Sequence, residues 1–172
     1  MALLAEELVE EWLNRQGYFT IRGIKLGVHE IDLLAMKVAG DTVICRHIEV
    51  QASIRPIGYL CPLTKSIQAS TGRAAMSVKH RSEEELGLCV KDWVKKKYHL
   101  SRKQTLRSKL YAGHWSLELV VHNLRHPEEL AYVKNEGIEV HQLSYIVREL
   151  SNSESVIESA CGADLVDLVR LD

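Results

Sequence analysis

Between Tyr18 and Ala52 the chain carries three β-type runs with almost nothing between them, a spacing that leaves few ways to fold. Tyr18 to Leu26 mixes β-branched and aromatic residues and stops at Gly27. Glu30 to Val38 follows, then the turn residues Ala39, Gly40 and Asp41, then Thr42 to Ala52, rich in Val and Ile. A hairpin is the simplest join across such gaps. Ahead of them, Ala2 to Gln16 repeats Leu4, Leu8, Trp12 and Ala5, Val9, Leu13 at spacings of three and four, with glutamates on the other side. That pattern predicts an amphipathic helix, and Gly17 is a natural stop for it.

The rest of the chain alternates. Leu63 to His80 is helix-compatible but weakly amphipathic, and Glu83 to Tyr98 is a clear helix with a lysine-rich end suited to a helix C-terminus. Ser101 with Gln104 has the form of a capping box opening a short basic segment that runs to Gly113. Ser116 to Asn123 reads as a buried strand, Pro127 to Asn135 as a short helix, Ile138 to His141 as a strand and Leu143 to Leu150 as a helix. The order predicts one α/β domain over residues 1–150, a mixed sheet flanked by helices, with the basic helical region 55–115 inside it. In 151–172, Val156 to Leu171 repeats apolar residues at helical spacing, which predicts a C-terminal helix packed on the domain or in an oligomer interface.

Composition narrows the class. With 172 residues, 46 % hydrophobic and 26 % charged, and only 3 Pro, disorder and collagen are excluded and one sizeable core is expected. The apolar start, Met1 to Ala5, is broken by Glu6, Glu7, Glu10 and Glu11, which fits neither a signal peptide nor a membrane span; a cytoplasmic protein is expected. Cys45, Cys61, Cys89 and Cys161 are widely spaced, as isolated buried thiols are, and the His122, His126 pair has no second ligand pair to make a zinc site.

Charge is uneven. Residues 1–54 hold 5 Lys or Arg against 8 Asp or Glu, residues 55–115 hold 13 against 4, and residues 116–172 hold 4 against 11. The middle block concentrates Lys95, Lys96, Lys97, Arg102, Lys103, Arg107 and Lys109, with Lys65 and Arg73 upstream. Clustered cations of this kind serve either as a solvated helix face or as a grip on a polyanion, and charge alone does not choose between them.

Two acidic residues sit inside strands. Asp32 lies in Ile31-Asp32-Leu33-Leu34-Ala35 and Glu49 in His47-Ile48-Glu49-Val50-Gln51, where a carboxylate is costly unless paired with a cationic side chain or holding a cation. Strand alternation puts His47, Glu49 and Gln51 on one face. Two carboxylates and an amide oxygen on paired strands make a hard-oxygen set suited to Mg²⁺; pairing with Lys or Arg is the other reading.

Helical Glu6, Gly17 eleven residues later, then Glu30-Ile31-Asp32-Leu33-Leu34-Ala35, then Ile48-Glu49-Val50-Gln51, together resemble the PD-(D/E)XK nuclease superfamily, the restriction-endonuclease-like fold. Archaeal-type Holliday junction resolvases, Mrr-like restriction enzymes and the YraN-like family are nearest in pattern. The motif spans roughly residues 5–52, and the order of later elements agrees to about Leu150. The resemblance implies a nuclease that uses Mg²⁺ or Mn²⁺ to hydrolyse phosphodiester bonds, with DNA the expected partner, RNA not excluded, and a homodimer the expected assembly. Asp32 and Glu49 then look like the metal-binding acids and Glu6 like the first-helix glutamate that joins them. Gln51 stands where the family usually has a lysine. It carries neither positive charge nor a proton to give, so any transition-state stabilisation from it is by hydrogen bonding, unless a cation comes from elsewhere. Lys65 is the first candidate for that cation and Arg73 the second. The same Gln51 motivates an alternative, a non-catalytic nucleic-acid-binding module or assembly component on this fold.

Overall fold

The computed structural model describes residues 2–152 and 155–169. The first helix, α1 (Ala2–Arg15), leads into β1 (Phe19–Leu26), β2 (His29–Ala39) and β3 (Thr42–Ile57). After these come α2 (Lys65–Thr71), α3 (Glu83–Tyr98), α4 (Ser101–Leu110), β4 (Ser116–Leu124), α5 (Glu129–Asn135), β5 (Glu139–Gln142), α6 (Leu143–Asn152) and α7 (Ala163–Val169). The expected α/β class holds: the strands form one five-stranded sheet in the order β1-β2-β3-β4-β5, flanked by helices. Pairs β1/β2 and β2/β3 are antiparallel, whereas β3/β4 and β4/β5 are parallel. β3 is therefore the hinge between the two halves, paired on both edges and buried from Cys45 to Val50.

The period-three-and-four stripe of α1 does what it predicts. Leu8, Val9, Trp12 and Leu13 pack on Leu33, Ala35, Ile48 and Val50 of the sheet, with Ile146 and Leu150 of α6 and Val166 of α7 completing that layer. On the opposite face, Cys89, Val90, Trp93, Val94 and Tyr98 of α3 meet Leu119 and Val121 of β4. α3 matches its predicted limits, opened by Ser82, whose side chain accepts from Glu85 N–H while Glu85 reaches back.

Four expectations are corrected. Helix forms only over Lys65–Thr71 within 63–80, because Gly72 sits at φ 66° and closes it. Ser101 and Gln104 make no capping box; Leu100 is the cap of α4, with no side-chain bond. Within 156–171 the helix is limited to Ala163–Val169, and Leu171 lies outside the described residues. Ahead of it, Val156 N–H donates to Arg15 C=O, and Ala160 and Gly162 N–H donate to the buried Glu11 carboxylate. Gly162 is required there, since a Cβ would stand 2.9 Å from Glu11 Cβ. Finally, Cys161 is exposed, while the other three cysteines are buried and all four are free.

Candidate functional site

The site begins where the β2/β3 ladder stops. Antiparallel pairing runs from Ala39 opposite Thr42 to Leu33 opposite Ile48 and then ceases. There the Asp32 side chain takes over from the backbone, Oδ2 accepting from Val50 N–H at 2.8 Å. One position beyond the last pair, Asp32 and Glu49 face each other across the two strands.

Glu49 is fully buried, and both of its oxygens accept hydrogen bonds. Oε2 accepts from Lys97 Nζ at 2.8 Å, and Oε1 accepts from Lys103 Nζ at 2.8 Å and from His47 Nε2 at 3.1 Å. On its other side, His47 Nδ1 meets the Arg107 guanidinium. Because a guanidinium only donates, Nδ1 is the acceptor and the ring proton sits on Nε2, facing Glu49. Burial holds the His47 imidazole at about 4, outweighing the pull of Glu49, so the ring is neutral near pH 7. Burial alone would push the Glu49 carboxyl up; the His47 hydrogen bond and the ammonium groups of Lys97 and Lys103 outweigh it and bring it to about 2.

Asp32 behaves oppositely. Half-buried, it is pushed up to about 7, first by desolvation and then by the Glu49 charge, with Lys97 and the Val50 N–H only partly compensating. Glu6 is the α1 carboxylate whose charge is felt at this pair: it is nine-tenths buried, and burial, then Glu30 and more weakly Glu49, raise its carboxyl. The neighbouring glutamates of α1 are spent elsewhere, Glu10 on Thr20 and Arg22 and Glu7 on Arg22. Glu6, not Glu10, therefore stands with Asp32 and Glu49.

An open cleft of about 380 Å³ lies beside Asp32, walled also by His29, Glu30, Trp93, Lys96, Lys97 and Lys103. The basic block thus divides in two. Lys103 and Arg107 turn inward onto Glu49 and His47, with only 2 % and 7 % of their surface exposed, which corrects the expectation that they form an outer grip. Lys97 is between the two states, its side chain 28 % exposed at the cleft. Lys95, Lys96, Arg102 and Lys109 are exposed. Of the two candidates to replace the missing lysine, Lys65 is exposed on α2 and Arg73 is paired with Glu85; neither meets Glu49, whereas Lys97 does. Gln51 is half-buried, in register with Val121 of β4.

Two polar clusters were not anticipated from the sequence. Glu129, fully buried, accepts from the backbone N–H groups of Leu60 and Cys61 at 2.6 and 3.0 Å, and Arg81 lies beside it over the Tyr59 ring. Arg46 grips Glu118 through two bonds of 2.8 and 2.6 Å, with His141 and Ser116 on the same carboxylate. The available signal was an Arg and a Glu inside strands that are otherwise apolar, the same signal that singled out Asp32 and Glu49.

The fold and site define the class as an α/β protein with a five-stranded mixed sheet and a carboxylate pair at a strand opening. No family model matches the chain, and no curated protein matches it. A crystal structure of a protein of unknown function, AF1548, superposes with a TM-score of 0.46 at 13 % identity, over 99 % of this chain and 67 % of its own. Among the described residues, no helix is long and apolar enough to cross a membrane.

Proposed function

We propose that this chain is a divalent-metal-dependent nuclease of the PD-(D/E)XK kind, acting on DNA. The observation that carries the reading is the opposition of Asp32 and Glu49 where the β2/β3 ladder opens, with Asp32 lining an open cleft that it shares with Lys96, Lys97 and Lys103. The donor chemistry fits the group: these are oxygen ligands, and an ion such as Mg²⁺ keeps several waters, so two carboxylates with Glu6 nearby suffice. The raised carboxyl of Asp32 marks a site whose negative charges are under-compensated by the protein's own cations. When bound there, Mg²⁺ or Mn²⁺ supplies an activated water and neutralises charge on the attacked phosphate.

The residues of the chain have distinct tasks in this scheme. Asp32 and Glu49 hold the ion. His47 and Lys103, both buried, fix the Glu49 carboxylate in one orientation, and Arg107 fixes the His47 tautomer. Lys97 brings to the cleft the positive charge that Gln51 lacks, on a helix instead of the strand. Lys95, Lys96, Arg102 and Lys109 face solvent and meet the phosphate backbone.

A second reading rests on a specific observation. Every Glu49 oxygen already accepts from a protonated group, so its charge is balanced with no ion present. This favours the alternative of a module that binds nucleic acid and does not cut it. The deciding test incubates wild type and Asp32→Asn with linear, circular, single-stranded and four-way-junction DNA in Mg²⁺, Mn²⁺ or EDTA. Metal-dependent cutting by wild type alone is expected. Salt-sensitive binding with no cutting under any condition selects the second reading.

A further inference from the structure

The face of the sheet opposite Glu49 carries a separate set of ligand-type side chains. Glu118 of β4 stands in register with Glu139 of β5, and His141 lies two residues along β5, on the same face as Glu139. His141 Nε2 is 2.9 Å from Glu118 Oε2 and 3.6 Å from Glu139 Oε1. Among the described residues, this is the set of three whose ligand atoms all lie within 4.8 Å of one another. An ion holding tetrahedral ligands at about 2.0 to 2.1 Å places neighbouring ligand atoms roughly 3.3 Å apart, midway between the two observed spacings.

The surroundings are those of a held ligand set. Arg46 donates to both Glu118 oxygens, at 2.8 Å to Oε1 and 2.6 Å to Oε2, and Ser116 Oγ donates to Oε1 at 2.6 Å, so the carboxylate is held in one orientation with Oε2 toward His141, as outer-shell donors orient metal ligands. Arg46 is itself packed over the rings of Trp12 and Tyr18, 4.8 and 5.2 Å from their centres. A cavity of about 520 Å³ opens over the set, lined also by Trp12, Tyr18 and Tyr145. Trp12 closes one side of this cavity, its ring 5.8 Å from that of His141.

We infer that Glu118, Glu139 and His141 form a site for a transition-metal ion of the zinc class, with its remaining coordination position open to the cavity. One imidazole nitrogen and two carboxylates form a borderline donor set that selects Zn²⁺ over Mg²⁺ or Ca²⁺, which take oxygen. The ion would take the His141 Nε2 lone pair, in place of the direct contact between that nitrogen and the two carboxylates. The competing state is the direct hydrogen bond between His141 and Glu118, with no ion.

The test uses the full chain carrying Asp32→Asn, which weakens the Asp32–Glu49 site and leaves this face untouched. Co²⁺ is titrated in as a visible-absorbing stand-in and then displaced with Zn²⁺, the Zn²⁺ affinity being measured by calorimetry. One equivalent is expected, with tetrahedral Co²⁺ absorption that Zn²⁺ abolishes. His141→Ala and Glu139→Gln are each expected to weaken binding at least tenfold, the lower limit for losing even an outer-shell partner. Glu139 is mostly exposed, so its substitution tests the ligand without unsettling the core. Absence of Zn²⁺ binding at micromolar concentration overturns the inference, as does binding that both variants leave unchanged.

Discussion

Asp32→Asn is expected to make the metal-free protein more stable while removing the proposed metal-dependent cutting, and the size of the stability effect follows from the site. The Asp32 carboxyl moves from 3.8 to about 7 on folding, chiefly through burial and then through Glu49. A carboxyl whose folded value is raised binds its proton more tightly in the folded state, so below pH 3.8 it costs nothing. Between there and about pH 7 the folded state loses about 1.4 kcal/mol per pH unit, and above that the penalty is complete at about 4 kcal/mol. Asparagine is nearly isosteric, keeps a carbonyl oxygen for the Val50 N–H and carries no charge. The variant should therefore exceed wild type by about 4 kcal/mol at pH 8 and by about 2 kcal/mol at pH 5. Urea unfolding in EDTA at the two pH values measures both. A variant less stable than wild type at pH 8, or one with the same advantage at both pH values, refutes the assignment of Asp32 as an under-compensated carboxylate. Saturating Mg²⁺ should close the gap from the wild-type side only, by about 2.7 kcal/mol at a hundred times the dissociation constant.

Lys103→Met leaves Glu49 short of one buried partner and is expected to cost about 3 to 5 kcal/mol in urea unfolding, whereas Lys97→Met, at a partly exposed position, should cost clearly less. In a protein that cuts DNA, Lys97→Met should abolish cutting and Gln51→Lys added to it should restore a measurable rate; restoration by neither route would remove Lys97 from the mechanism. Glu129→Gln places an amide N–H against the backbone donors of Leu60 or Cys61, expected to cost about 1 to 3 kcal/mol and to speed hydrogen exchange at those two amides.

Helix and strand positions were legible because their signals are local. The α1 stripe, the short joins between β1, β2 and β3, and the apolar face and lysine-rich end of α3 each depend on residues within a few turns of each other. Asp32 and Glu49 were legible for a related reason, since a carboxylate in an apolar strand is conspicuous whatever it pairs with. Its partners were not legible. Lys97 and Lys103 are 48 and 54 residues from Glu49, and nothing in the intervening sequence marks them apart from Lys95, Lys96 or Lys109. The α4 segment shows why. Its inward positions, Lys103, Leu106 and Arg107, follow helical spacing, but two of the three are cations because the strand beneath offers Glu49 and His47. Periodicity identifies a buried stripe only when the stripe is apolar. A polar stripe matched to a polar strand face reads from sequence as a solvated helix.

That division of the basic block makes a quantitative claim about any nucleic-acid complex. Nine Lys and Arg of the block are candidates for phosphate contact by sequence, yet Lys103 and Arg107 are buried against His47 and Glu49, Lys97 is tied to Glu49, and Arg73 to Glu85. Lys95, Arg102 and Lys109 remain exposed, as does Lys96, whose pair with Asp92 lies at the surface, with Lys65 exposed on α2. Each phosphate neutralised on duplex DNA contributes about −0.9 to the slope of log K against log salt, so four contacts give a slope near −4 and nine would give about −8. Binding measured from low to moderate salt, in EDTA so that cleavage does not intervene, separates these values. A slope near −4 that falls by about 1 on neutralising Lys96 or Arg102 is expected of a preformed interface. A slope near −8 would mean that binding pulls Lys97, Lys103 and Arg107 out of their internal pairs. Glu49 would then lose the partners that hold its carboxyl at about 2, and the complex would take up protons as it forms. Proton uptake is measured by repeating the titration in buffers of different ionisation enthalpy, and its absence fixes the buried cations as part of the protein's own architecture.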